Sequence, residues 1–220
     1  MELNDIKDNV REIIESLPKN VSLVVAAKTR SPEEVKMTIA AGVSIIGYNY
    51  VQEAEQMYRH ITDKVQWHLI GHLQSNKAKR AVQIFDMIET IDSRKIAEAV
   101  DRHCAELGKI MPVLIEINSG RESNKTGVLP ENVERLIWEI SSLKHLRIQG
   151  LMTMGPRFGN PEDSRPYFKK TKVIFDHLSN ANIPNVEMKY LSMGMSNSYN
   201  IAIEEGANIV RIGTRLFGER

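Results

Sequence analysis

The sequence has one cysteine, Cys104, among 220 residues, so no intramolecular disulfide can form. That is expected of a protein from a reducing, cytoplasmic compartment. Cys104 lies at helical spacing with Ile96, Ala99, Val100 and Leu107, and it reads as a small core residue rather than a nucleophile. The start, MELNDIKDNV, has no basic segment followed by an apolar one, so no secretory leader is expected. No apolar run approaches the length of a membrane span, so no membrane partner is expected either. Charge of one sign is not in excess: 29 basic and 28 acidic residues leave a formal net charge of +1. Such a balance gives no whole-molecule field to draw in nucleic acid or an anionic surface. An anionic ligand must be held by a local site.

Other fingerprints are missing as well. There is no glycine-rich dinucleotide or P-loop motif and no GxSxG elbow. His68 and His72 stand four apart on a predicted strand and loop, not on a helix with a glutamate base, so no metal site is expected. The tract KTRSPEEVK is mixed in charge and makes a poor nucleic-acid patch. Without low-complexity segments or Pro/Gly-rich linkers, residues 1–220 are expected to form one domain.

The composition, 42% hydrophobic and 26% charged, is that of a globular protein with a full core. An amphipathic helix opens the chain, with Ile6, Val10, Ile13, Ile14 and Leu17 on one face. Then the pattern changes to VSLVVAA at 21–27, a short valine-rich run suited to a strand buried on both faces of a parallel sheet. Ser31, Pro32 and Glu34 form a capping box with proline at the first helical position, and Gly42 is placed to end that helix. Further strands are predicted at 43–47, 65–70, 87–91, 112–118, 146–152, 186–191 and 208–212, with helical patterns between them. Eight alternating units predict a (β/α)8 TIM barrel; a doubly wound open sheet is the alternative.

The unusual residues follow the predicted strands: Lys28-Thr29, Tyr48-Asn49-Tyr50, Gly71-His72, Asn118-Ser119, Met152-Thr153-Met154, Ser192 to Ser196, and Gly213-Thr214. In a barrel these fall on the C-terminal rim, where sites are built. Lys28 ends an apolar run; it either reaches solvent or is a partly desolvated amine able to attack a carbonyl. Ser196 is either a plain N-cap or, with Gly213 and Thr214, part of a phosphate site. Arg211 interrupts the last strand and should point into the barrel, either paired with Glu116 or donating to a ligand ring atom.

Seven motifs now stand in order: AAKT around Lys28, YNYVQE (48–53), WHLIGHLQSNK (67–77), ESNKTG (122–127), GLMTM (150–154), LSMGMS (191–196) and VRIGTRLFG (210–218). With them the sequence resembles the pyridoxal phosphate homeostasis protein family over nearly its whole length. The resemblance implies the type III pyridoxal phosphate barrel, similar to the N-terminal domain of alanine racemase. It implies pyridoxal 5′-phosphate as cofactor, held as a Schiff base on Lys28. Ser196, Gly213 and Thr214 would bind the phosphate, Arg211 would face the pyridine nitrogen, and Asn49, His72 and Met152 would line the ring pocket. The family usually carries GENYVQE where this chain has Tyr48, and an acidic residue soon after LSMGMS where it has Asn197-Ser198.

Cofactor binding leaves catalysis open. Racemisation needs a base on each face of the substrate α-carbon. In alanine racemase-like enzymes the second base is a partner's tyrosine, and a C-terminal β-domain builds the dimer. Only GTRLFGER follows the last predicted strand, so that domain is not expected and the expected state is a monomer. An arginine at the pyridine nitrogen disfavours a protonated ring and weakens the electron sink. The expected role is therefore a carrier that supplies apo-enzymes dependent on the cofactor. The alternatives are a racemase-like enzyme with Tyr48 as proton donor, a cofactor-free lysine aldolase on a phosphorylated metabolite, and a pure interaction module.

Overall fold

The computed structural model describes residues 3–123, 125–156 and 159–218. Its strands are Ser22–Ala26 (β1), Ile45–Tyr48 (β2), Gln66–Leu69 (β3), Met87–Ile91 (β4), Met111–Ile117 (β5), Leu146–Thr153 (β6), Val186–Ser192 (β7) and Ile209–Ile212 (β8). They close in chain order into a parallel barrel, with β1 paired to both β2 and β8, so the sheet is not open. The helices are Leu3–Ser16 (α1), Pro32–Ala40 (α2), Val51–Tyr58 (α3), Ala78–Ile84 (α4), Arg94–Leu107 (α5), Val133–Ile140 (α6), Arg165–Ser179 (α7), Tyr199–Glu204 (α8) and Thr214–Phe217 (α9).

Successive side chains on a strand point to opposite faces, and here both faces are covered. Val25, Ile46, Leu69, Ile88, Val210 and Ile212 pack outward into the core shared with the helices. Val24, Ile45, Ile70 and Ile209 fill one part of the bore, and Met87, Leu114 and Met152 another. Arg211, between Val210 and Ile212, therefore turns inward as its neighbours turn out. Burying each such aliphatic side chain contributes roughly 1.5–3 kcal/mol.

The second strand begins two residues later than its predicted start. The reason is local: the Val43 amide still bonds to the Thr38 carbonyl at 3.2 Å, closing the end of α2. At the start of α2 the capping box forms as expected, with Ser31 Oγ accepting from the Glu34 amide at 3.2 Å and Glu34 Oε2 accepting from the Ser31 amide at 2.7 Å. Where β6 meets β7 the register shifts between Ile148 and Gly150. Gly150 has φ +148°, and a Cβ there would overlap the Tyr190 carbonyl, so only glycine lets the strands approach.

The β7–β8 seam is thin, and Asn208 reinforces it with its side chain. Its Oδ1 accepts from the Leu191 amide at 2.8 Å, and its Nδ2 donates to the Lys189 carbonyl at 2.7 Å. Across the β8–β1 seam, α1 packs on α2 and α9. Cys104 is fully buried, and burial pushes its thiol up to about 11. No helix among the described residues is long and apolar enough to cross a membrane.

Candidate functional site

A cavity of ≈ 250 Å³ opens on the C-terminal rim, lined by Ala26, Lys28, Asn49, Ile70, Lys125, Met154, Gly155, Met195 and Arg211. Lys28 reaches it from the turn just beyond β1. The next residue, Thr29, is held in the left-handed region at φ +61°. A non-glycine residue there costs about 1–2 kcal/mol, so the conformation must be held from outside. It is: the Thr29 amide donates to the Glu53 carboxylate in the first turn of α3. On the far side, Arg30 stacks over Phe217 at 4.8 Å, donates to the Gly218 carbonyl at 3.2 Å and pairs with Glu34 at 3.3 Å. The peptide carrying the lysine is thus clamped on both flanks.

Asn49 enters from the end of β2. Gly71, after β3, lies against the Asn49 backbone so closely that a Cβ would overlap it. Arg211 is 4% exposed. Its Nη1 donates to Ser192 Oγ at 2.5 Å and its Nη2 to the Thr153 carbonyl at 3.0 Å. Its nearest carboxylate among the described residues is Glu89 at 3.9 Å, so the alternative of an ion pair with Glu116 is not what forms. The physical reason is position. Glu116 instead accepts from Thr126 Oγ1 at 2.9 Å, in the loop that leaves β5.

Beside the cavity, Ser196 Oγ accepts from the amides of Gly213 at 3.2 Å and Arg215 at 3.3 Å. The loops after β7 and β8 therefore meet at Ser196, with Thr214 opening α9 between those two amides. Ser196 is not the cap of α8; that position is held by Ser198, whose hydroxyl accepts from the Met195 amide at 3.2 Å. Converging amides and a hydroxyl are a donor set suited to an anion.

Three sequence-marked residues lie elsewhere. Met152 is fully buried one layer down, with Met87 and Leu114, while Met154 lines the cavity. His72 is 43% exposed, its Nδ1 lies 3.2 Å from the Asp92 carboxylate, and it faces two open grooves, one of which shares Asn49 with the cavity. Tyr48 is the larger correction. Strand alternation turns it out of the bore, where it stacks on Trp67 with centroids 5.7 Å apart, fully buried in the outer core. Burial and the nearby Glu53 charge raise its phenol well above the ordinary value. It faces away from Lys28's cavity and cannot serve there as a proton donor.

Two residues went unmarked. Lys125, inside ESNKTG, lines the cavity, donating to Glu122 at 2.5 Å and to the Gly155 carbonyl at 3.2 Å. Glu89 interrupts MIETI just as Arg211 and Glu116 interrupt their strands, and that same signal would have found it. Asn124 of ESNKTG, and the Glu219 and Arg220 of the closing LFGER, lie outside the described residues.

A closed parallel barrel with a lysine after its first strand and a cluster of amides and a hydroxyl after its last two defines a barrel of the alanine racemase N-terminal class. Residues 1–220 match the family described as alanine racemase, N-terminal domain. The pyridoxal phosphate homeostasis protein of Aquifex aeolicus is 41% identical over 199 residues, covering 90% of this chain and 86% of that protein. The one from Pasteurella multocida is 33% identical, covering 99% and 96%. The chain belongs to the pyridoxal phosphate homeostasis protein family. Among solved structures, PipY of Synechococcus elongatus with pyridoxal phosphate bound superposes with a TM-score of 0.89 at 31% identity, covering 97% of this chain and 100% of that one. A Clostridium difficile alanine racemase shares the fold at TM-score 0.78 and 16% identity, and this chain spans 59% of it.

Proposed function

We propose that this protein binds pyridoxal 5′-phosphate through the Lys28 amine and acts as an intracellular carrier or buffer of that cofactor. Its partners would be apo-enzymes that require it, and residues 1–220 would act as one domain in a monomer of the cytoplasm. The observation that carries the reading is the meeting of Lys28, Asn49 and Arg211 on one cavity beside the Ser196–Gly213 cluster. The names of the relatives and the cofactor in PipY point the same way.

The residues fit the group in size and in donor chemistry. When bound, the cofactor would supply an aldehyde with which a lysine amine can condense, releasing water, so that Lys28 would retain it covalently. Lys28 supplies the amine from a clamped turn. Arg211, a permanent cation, would face the pyridine nitrogen and disfavour a proton there. Ser196, with Gly213, Thr214 and the Arg215 amide, would hold the phosphate. Asn49 would line the ring's edge, His72 would stand at the entrance, and Met152 would support the floor on which Met154 lies.

A carrier suits this set better than a racemase. Tyr48 faces away from the cavity, and a cation at the ring nitrogen weakens carbanion stabilisation. The test is an absorption titration with pyridoxal phosphate for wild type and Lys28→Ala. A borohydride-reducible visible band in wild type, absent from the variant, supports the reading. No band in wild type at saturating cofactor sinks it. Exchange of amino-acid α-hydrogens in deuterium oxide beyond that caused by free cofactor would replace the carrier with the enzyme.

A further inference from the structure

A chain of four polar side chains crosses the bore beneath the cavity. Arg211 on β8 donates to Ser192 Oγ on β7 at 2.5 Å. Ser192 Oγ donates to Glu89 Oε2 on β4 at 2.6 Å. The other oxygen, Glu89 Oε1, lies 2.7 Å from His68 Nδ1 on β3. In the closed strand order β3 and β4 stand across the bore from β7 and β8. All four side chains are buried, His68 at 3%, Glu89 and Ser192 at 0%, and Arg211 at 4% exposed.

The bore of such a barrel is ordinarily filled with apolar side chains. Stripping water from a carboxylate and a guanidinium is costly, and replacing buried pairs by apolar residues is often neutral or stabilising. Stability alone gives no reason for this chain to cross the barrel. Its geometry gives another. Arg211 is the one member that also lines the cavity with Lys28. The two bonds it makes below use two of its five N–H donors and hold the guanidinium plane, leaving the remaining donors for the cavity. Glu89 is held below its ordinary carboxylate value: burial raises it, but the His68 bond and charge, the Arg211 charge and the Ser192 bond outweigh that. So a fixed anion sits behind a fixed cation.

We propose that Glu89 and His68 are positioning residues that aim the Arg211 charge at the pyridine nitrogen of the cofactor. The proposal rests on the reading above, in which Arg211 faces that nitrogen. Glu89 anchors the guanidinium through Ser192. His68 holds the other oxygen of Glu89 and keeps the carboxylate, whose Oε2 stands 3.9 Å from Arg211 Nη1, from closing further on the guanidinium and drawing it down and away.

The experiment compares two ligands by calorimetry: pyridoxal phosphate and its 1-deaza analogue, which has CH in place of the ring nitrogen and keeps the aldehyde and phosphate. Wild type should prefer the nitrogen ring by about tenfold or more, the scale of one hydrogen bond to a charged group. In Glu89→Gln the preference should collapse toward unity, chiefly by loss of pyridoxal phosphate affinity. His68→Leu should reduce it, and His68→Asn, which restores a nitrogen donor to Glu89, should recover it. If Glu89→Gln and His68→Leu weaken both ligands equally and keep the preference, the chain only supports the fold and the proposal is overturned. Should Glu89→Gln not fold, the His68 pair decides between the same two outcomes. No preference in wild type would instead overturn the reading of Arg211, and the proposal with it, while leaving cofactor binding through Lys28 intact.

Discussion

Glu116 is a carboxyl whose neutral form folding favours. It is 2% exposed, one oxygen accepts from Thr126, and the other is buried without a partner among the described residues. Burial raises it above the ordinary 4.5, and Asp92 adds to that, while the Thr126 bond, Arg211 and His72 oppose. The folded chain therefore holds this proton more tightly than the unfolded one, and the stabilisation is complete below the unfolded value and lost as pH rises through the folded one. Glu116→Gln keeps the acceptor for Thr126 and cannot ionise. Its melting temperature should match wild type near pH 4 and exceed it at pH 8. A gain on the order of 1 kcal/mol corresponds to about 2–4 °C in a chain of this size. A variant no more stable at pH 8 would show that Glu116 ionises without cost. Tyr48 gives a second residue-scale expectation. Its hydroxyl is buried with no hydrogen-bond partner among the described residues. Tyr48→Phe removes that unsatisfied group, so it should stabilise the fold by about 1 kcal/mol in a thermal melt and leave cofactor affinity unchanged. Lost affinity would put the hydroxyl back in the site.

Among the elements, the join between β7 and β8 matters most to the site, because Ser196 and Gly213 hang from those two strands. Named strand pairing there is limited to Ser192 and Ile209, and Asn208 adds two side-chain bonds. Asn208→Ala removes both and leaves a Leu191 amide and a Lys189 carbonyl to find other partners. The expected loss is roughly 2 kcal/mol, about 4–8 °C in melting temperature. Hydrogen exchange should quicken at the amides of 209–213, and phosphate-bearing ligands should bind more weakly. A melt unchanged from wild type would show that water or neighbouring backbone replaces the side chain. The bulge in β6 is a different kind of join. At Gly150 a side chain has no room against Tyr190, so the strand must kink there, and the kink sets which residues of 150–155 climb to the rim. Met152 and Met154, two residues apart, share the bore face, and Met154, one layer nearer the rim, lines the cavity.

For the whole molecule, the near-neutral charge means that retention of an anionic ligand is a matter of one local cluster. Ligand binding should therefore report on the barrel as a unit. Pyridoxal phosphate at a hundred times its dissociation constant should stabilise the fold by about 2.7 kcal/mol through mass action, raising the melting temperature by roughly 5–11 °C. Lys28→Ala should abolish most of that rise without lowering the melting temperature of the unliganded protein by much, because Lys28 is half-buried at the rim and outside the core. A rise of equal size in the variant would place the ligand elsewhere.

What the sequence determined by itself was periodic. Valine-rich runs alternating with capped amphipathic helices name eight strands, and strand alternation alone sends Arg211 inward between Val210 and Ile212. The strand ends place Lys28, Asn49, Ser196 and Gly213 on one rim, and the motif order identifies the family. These are local properties, written within a few residues of where they act. Tertiary structure decided whatever depends on distance across the bore. Which carboxylate faces Arg211, whether His72 reaches the cavity, and which methionine lines it depend on barrel closure, stagger and a bulge, none of which has a local signature. Tyr48 marks the boundary between the two. Its motif position suggested chemistry, but β2 alternation, with Ile45 and Gly47 facing the bore, turned it into the outer core, and only closure of the barrel made those two faces an inside and an outside.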